Sequence, residues 1–219
     1  MIGLKRGDVS LYDHEDEWDT EGERTVNELF EILGGDARDI QHIGSTSVKS
    51  IKAKPIIDIA VAADSFERIL SHENELLQSG YHYRPDKTTD GEQLLFAKGS
   101  YYEGGDMQTH FIHVVKYNSM QWRNYINFRD FLNAFPEKAK QYESVKTGLV
   151  EKLGSVGSRN GYVEGKAEFI SRILRKATAW SFLGKTVTME TDRPIGYVHR
   201  KSGYELVYPL NYGYIPGVL

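Results

Sequence analysis

The 219-residue chain contains no cysteine, which excludes a disulfide framework and any thiolate metal or redox centre. No apolar run approaches the roughly 20 residues needed to cross a bilayer, so no membrane partner is expected. Residues 1–10 lack the continuous apolar stretch of a secretion signal, which makes the cytoplasm the expected compartment. Net charge is small too, 27 basic against 31 acidic side chains leaving −4. Sequence-independent binding to duplex nucleic acid draws its affinity from neutralising many phosphates, so none is expected here. Smaller phosphorylated partners stay open.

What the chain does have is 40% hydrophobic and 12% aromatic residues, enough for one globular domain, with an appendage, that folds without cross-links. Charge is unevenly placed. Residues 1–40 carry four basic and twelve acidic side chains, whereas residues 137–176 carry nine basic and five acidic. The acidic run from Asp13 to Glu23 reads as a solvated helix start favoured by the helix dipole. The basic stretch reads either as a solvated helix face or as the wall of a phosphate pocket.

Hydrophobic spacing predicts an N-terminal helix through Trp18, Val26, Leu29, Phe30 and Leu33, stopped at Gly34-Gly35. A short strand at residues 40–43 runs into a polar turn, Gly44 to Ser47, whose hydroxyls and amides would start another helix. Residues 55–63 read as a central strand buried on both faces, broken only by Asp58. A helix is expected over residues 65–78, then strands at 81–84, 93–98 and 107–115 in an antiparallel meander, with turns at 85–91 and 99–106. Helices are expected at 119–134, 136–153 and 162–178. The fold class is α+β, with a domain at residues 1–180 and a tail at 181–219.

The segments His42-Ile43-Gly44-Ser45-Thr46-Ser47-Val48 and Lys54-Pro55-Ile56-Ile57-Asp58-Ile59 carry the chemistry. Glycine lets the backbone approach a phosphate, serine supplies a donor, and an aspartate in an apolar strand supplies a hard oxygen ligand for a metal. A charged side chain in such a run is costly unless paired or liganded. His110 and His113, three apart on a strand, point to opposite faces and so do not form a metal pair. His42 would support the turn through a hydrogen bond. Lys54, Arg129, Lys146 and Lys166 come from separate segments and would converge on a phosphate group. Tyr142 with Lys146, and Tyr162 with Lys166, are four apart and share helical faces, so the phenols would line one wall.

These strings, with Trp18, His113-Val114-Val115, Trp122, Phe128 to Leu132, Pro136, Tyr142, Lys146, Tyr162 and Lys166, resemble the GrpB-like family of the DNA polymerase β-like nucleotidyltransferase superfamily over residues 9–180. The resemblance implies a nucleotidyltransferase-fold core with a mixed or antiparallel sheet and C-terminal helices. The family's reaction is unassigned; the activity expected from the site residues is metal-dependent transfer of a nucleoside monophosphate from a nucleoside triphosphate to an acceptor hydroxyl, with Mg²⁺ or Mn²⁺ as cofactor. Asp58 and His113 would be the catalytic and metal residues; Gly44, Ser45, Thr46, Ser47, Lys54, Arg129, Tyr142, Lys146, Tyr162 and Lys166 would bind the nucleotide. Active members of the superfamily place two carboxylates two residues apart on the first catalytic strand, yet the partner of Asp58 is Ala60. His113 stands where a third carboxylate is expected. The alternative is therefore a non-catalytic nucleotide-binding or protein-interaction module on the same fold.

The tail differs in character, holding five of the fourteen tyrosines after Asp192. Strand-like pieces are expected at 186–189 and 205–208. Asp192 to Gly196 and Tyr208 to Gly217 resemble the opening part of a soluble inorganic pyrophosphatase, without the acidic cluster on which such enzymes depend, so that activity is not expected. A tail-mediated dimer is a further expectation.

Overall fold

Helix α1 (Asp16–Leu33) begins with Asp16, Glu17 and Asp19 at the end where the helix dipole is positive. The chain's amino group pairs with Glu15 and Glu17 beside that turn. At the other end Gly34 takes a positive φ, and its N–H closes the last turn on the Phe30 carbonyl. Trp18, Leu29 and Leu33 of the predicted stripe are buried and Val26 is half-buried, whereas Phe30 is exposed. The computed structural model describes residues 1–88, 91–154 and 159–216. They fall into two units, Met1–Ala177 and Thr178–Leu219.

The first unit is built on a five-stranded sheet of β2 (Ala37–Ile43), β3 (Ile57–Ala63), β4 (His82–Tyr83), β5 (Gln93–Lys98) and β7 (His110–Lys116). Their spatial order is β2-β3-β7-β5-β4. Only β3 and β7 run parallel; the other pairings are antiparallel. The class is thus α+β with a mixed sheet, and the meander lies beside the central strand as expected. Two residues that the sequence did not mark as a strand, β1 (Leu4–Lys5), pair with β6 (Met107–Gln108).

Alternation along the strands divides the core into two layers. Ile57, Ile59 and Val61 face α1 together with Leu94, Phe96, Ile112 and Val114. On the opposite face, Ala60 and Ala62 pack with Ile43, Val115 and Trp122. Trp122 belongs to α4 (Met120–Ala134), whose first turn is capped by the Ser119 hydroxyl accepting the Trp122 N–H at 3.1 Å. Helix α5 (Pro136–Leu153) starts on a proline, where the missing N–H costs nothing. Among the described residues no helix is long and apolar enough to cross a membrane.

Several expected elements are divided. The helix over 65–78 is two short helices, α2 (Phe66–Ser71) and α3 (Glu73–Gln78), because His72 leaves helical geometry at ψ 11°. The strand over 107–115 breaks at Thr109, whose N–H and hydroxyl both turn to the Lys98 carbonyl. The helix over 162–178 is α6 (Arg159–Gly165) followed by α7 (Ala167–Ser181). No α-helix follows the Gly44 turn: Ser45–Ser47 is one 3-10 turn, and Val48 is already extended. Residues 89–90 of the expected 85–91 turn lie outside the described residues.

The second unit holds two antiparallel pairs. Strands β9 (Val198–Lys201) and β10 (Tyr204–Val207) form a hairpin through Ser202 and Gly203, and β8 (Glu190–Arg193) pairs with β11 (Tyr212–Tyr214). The strand expected at 186–189 thus begins at Glu190. Arg193 lies over the rings of Tyr208 and Tyr212. Gly217, the end of the tail motif, is outside the described residues.

Candidate functional site

Strand β2 ends at Ile43, directly opposite Asp58 on β3. The next residue, Gly44, adopts φ 74° and ψ −168°, a region almost confined to glycine. A Cβ at this position would lie 2.5 Å from Asp58 Oδ2 and 2.9 Å from Asp58 Cβ. Glycine therefore lets the turn pass right over the carboxylate. The residues after it divide their work. Ser47 Oγ donates to the Gly44 carbonyl at 2.8 Å, and Thr46 Oγ1 donates to the Ile56 carbonyl at 3.2 Å. His42, whose pKa is pushed down to about 4 by burial, is neutral and donates Nε2–H to Thr46 Oγ1 at 3.0 Å. Thr46 and Ser47, expected to bind nucleotide, are spent on holding the turn. Ser45 is different: its hydroxyl has no protein partner among the described residues and faces an open cavity.

Across that cavity stands His113, opposite Ala60 in the β3–β7 register. Its Nε2 is 3.4 Å from Asp58 Oδ1. His110 points to the other face, 3.0 Å from Glu21, as the strand period requires. Burial opposes ionisation of Asp58, but the hydrogen bond and charge of His113, with Lys54 and Lys166 nearby, hold its carboxyl below the usual range. Behind His113, Gln93 brings its amide nitrogen within 3.4 Å of Nδ1. The Gln93 oxygen accepts both the Gln121 amide and the Tyr125 hydroxyl, the latter at 3.0 Å. With that oxygen occupied, the Gln93 amide is the donor facing Nδ1, and Nε2 is the nitrogen that faces Asp58.

The cavity has two lobes of about 300 and 380 Å³ that share Ser45, Asp58, His113 and Lys166. Both fall in the range of small-molecule sites. Lys54, Lys87 and Tyr162 line the first lobe, the rings and ammoniums interleaved: Lys54 and Lys166 lie 5.5 and 5.0 Å from the Tyr162 ring. Gln121, Asn124, Tyr125, Phe128 and Tyr142 line the second. Two of the expected phosphate ligands are elsewhere. Arg129 donates to Gln41 Oε1 at 2.9 Å and to the His42 carbonyl at 3.0 Å, and pairs with Asp130, so it fastens α4 to β2. Lys146 is 1% exposed, donates to the Lys52 carbonyl and lies over the Tyr142 ring. Burial, reinforced by Lys166 and Lys54, brings its pKa down to about 7. Tyr142 itself stacks on Phe169 and meets Phe128 edge-on, so its ring is largely covered by protein.

The profile of the GrpB protein family matches residues 8–176. The chain belongs to the GrpB family. The glutamate-rich protein GrpB of Alkalihalophilus pseudofirmus is 37% identical over 177 residues, covering 80% of this chain and 99% of that one. The crystal structure of the conserved protein GrpB from Enterococcus faecalis matches with a TM-score of 0.70 at 26% identity, over 79% of this chain and 99% of that chain. A structure of the Cid1 poly(U) polymerase with MgGTP is far more remote, with a TM-score of 0.41 at 14% identity, over 68% of this chain and 50% of that one.

Every candidate site residue lies inside the GrpB match, whereas residues after 176 lie beyond it. For a divalent ion the site supplies one carboxylate and one imidazole, 3.4 Å apart. Ala60 offers no third ligand, being fully buried against the layer that contains Trp122. Among the described residues the one cluster of three or more acidic or histidine ligand groups is His14, Asp16 and Asp19, on the N-terminal side of α1. The site thus fits a single ion completed by guest oxygens, as magnesium sites with one or two carboxylates commonly are, and does not fit a two-ion array.

Gln93, Gln121, Asn124 and Tyr125 were not foreseen as site residues. A signal was present: Gln121, Asn124, Tyr125 and Phe128 follow helical spacing on one face of α4, so carboxamides sit within a stripe that a simple core-facing helix would fill with aliphatics.

Proposed function

We propose that this GrpB-family chain binds a nucleotide by its phosphates between the Gly44-Ser45 turn and Asp58, on a nucleotidyltransferase-type core, and transfers a nucleoside monophosphate to an acceptor hydroxyl. One observation carries the reading: Gly44 packs so closely on Asp58 that the unpartnered Ser45 hydroxyl, the Asp58 carboxylate and the Lys166 ammonium share one cavity. Ser45 would donate to a phosphate oxygen, while Lys54, Lys87 and Lys166 would neutralise the triphosphate. Asp58 and His113 would hold Mg²⁺ or Mn²⁺, which when bound supplies charge neutralisation at the phosphate. In the transfer, the bond between acceptor oxygen and α-phosphorus forms as the bond to the bridging oxygen breaks. Pyrophosphate leaves toward the lysines, and the hydroxyl proton passes to solvent.

A second reading keeps the binding and drops the chemistry. Ala60, packed in the position where a second carboxylate would be needed, favours it. Titration calorimetry with each nucleoside triphosphate and Mg²⁺ or Mn²⁺ tests the site. Heat is expected with the parent protein and its loss in Asp58→Asn; no heat with the parent, or unchanged binding in the variant, refutes it. Transfer of α-phosphate label to pooled acceptors then separates enzyme from binding module.

A further inference from the structure

The two lobes that meet at Asp58 differ in kind. Lys54 and Lys87 make the first cationic, whereas the second carries no positive charge beyond Lys166 at the shared mouth. An anionic group has no counter-charge deep in the second lobe. Its walls are instead aromatic and aliphatic, with Phe128, Tyr142 and Tyr125 beside Ile43, Ile170 and Leu174. Such walls suit a flat, uncharged ring.

The polar groups in this lobe are not equivalent. Tyr125 donates its proton to the Gln93 oxygen, and the Gln121 amide nitrogen is directed at the same oxygen and, at 3.5 Å, at the Tyr125 hydroxyl. The Gln121 oxygen is left as an acceptor. Asn124, one turn along the same face of α4, makes no hydrogen bond to any described residue, so its carboxamide offers a donor and an acceptor side by side. A half-buried fork of this kind within a hydrophobic slot matches the edge of a nucleobase, where donor and acceptor also stand adjacent.

We infer that the α4 lobe is a nucleobase subsite in which Asn124 and the Gln121 oxygen select bases that carry an exocyclic amino group. The inference rests on the phosphate-binding reading above, since it assigns the base to one lobe only if the phosphates occupy the other. Adenine, cytosine and guanine each present an exocyclic amino donor to the Gln121 oxygen; uracil places a carbonyl oxygen where cytosine has its amino group, so in that pose two acceptors would face each other. A site built to hydrogen-bond a group discriminates strongly against analogues that lack it.

The test compares inorganic tripolyphosphate with ATP, CTP, GTP and UTP on the full chain, in the parent and in Asn124→Leu, by calorimetry at fixed Mg²⁺. Tripolyphosphate is expected to bind parent and variant alike. The amino-bearing nucleotides are expected to bind the parent about tenfold or more tighter than tripolyphosphate or UTP, and to lose that advantage in the variant. Asn124→Asp, which keeps the shape and removes the donor, is expected to lose it in part, and a thermal melt like the parent's shows that each variant is folded. Equal affinity of all five ligands for the parent, or an unchanged ranking in Asn124→Leu, overturns the base subsite while leaving phosphate binding intact. If neither tripolyphosphate nor any nucleotide binds the parent, both readings fall.

Discussion

Replacing Gly44 by alanine strikes the site at its tightest point. Two costs add. The backbone at φ 74°, ψ −168° is one that an alanine adopts only under strain, about 1–3 kcal/mol. The new methyl would also sit 2.5 Å from Asp58 Oδ2, 2.9 Å from Cβ and 3.1 Å from Cγ. Rotating the carboxylate relieves the first contact, but the Cβ contact yields only if the turn or β3 moves, which adds roughly 1–3 kcal/mol of overpacking. A loss of about 2–6 kcal/mol is therefore expected, which a domain of about 10 kcal/mol stability survives folded. Gly34→Ala is the matched control: its φ is also positive, at 50°, but an added Cβ meets nothing within 4 Å. Urea denaturation followed by tryptophan fluorescence should show Gly44→Ala as the more costly change. Calorimetry should show nucleotide binding lost in Gly44→Ala and kept in Gly34→Ala. Equal destabilisation of the two, with binding intact in both, would refute the claim that close approach to Asp58 requires glycine at 44.

Arg129→Met should cost about 2 kcal/mol in urea, by removing charged hydrogen bonds to Gln41 and the His42 carbonyl, while the affinity for tripolyphosphate stays within about twofold. A large loss of affinity in a folded variant would return Arg129 to the phosphate site. Lys146 has a folded-state pKa of about 7, below its ordinary value because of burial and then of Lys166 and Lys54, with Glu143 opposing. The unfolded chain therefore binds more protons above pH 7, and stability should rise with pH, by about 2 kcal/mol between pH 7 and 9 relative to Lys146→Met. Parallel stability profiles for parent and variant over that window would refute a buried, depressed Lys146.

The sheet was legible because its signals are local. The apolar run around Asp58 can be satisfied only by a strand buried on both faces, and the Gly-Ser turn after Ile43 marks where such a strand's neighbour must end. Asp58, Ser45 and His113 came together because strand register carries them. Hydrogen-bond commitments were not legible in the same way. Thr46, Ser47 and Arg129 have the same side chains whether they bind a phosphate or their own backbone, and only the carbonyls of Ile56, Gly44 and His42 beside them decide it. Lys146 shares a helical face with Tyr142 as its spacing requires, yet only Tyr142 reaches the cleft, in the second lobe, while the Lys146 ammonium turns to the Lys52 carbonyl. Gln93 escaped notice because a glutamine in a strand has no signature; its meaning comes from lying behind His113.

The distribution of charge gives Ala60 a physical rationale. Two carboxylates side by side on a strand repel each other and are tolerable when metal ions sit between them. Here one of the pair is absent, the space is closed by the Trp122 layer, and Lys54 and Lys166 act on the remaining carboxylate, with Lys87 also lining the first lobe. Positive charge that a two-ion array would bring with it is thus carried by the protein itself. Asp58 stays ionised in spite of burial because His113, Lys54 and Lys166 offset its desolvation. A second aspartate at position 60 would have to be ionised in the apolar layer with Trp122, where burial opposes it. The single carboxylate and the lysine lobe are therefore two parts of one electrostatic arrangement, which on the proposed reading a polyanionic guest would complete.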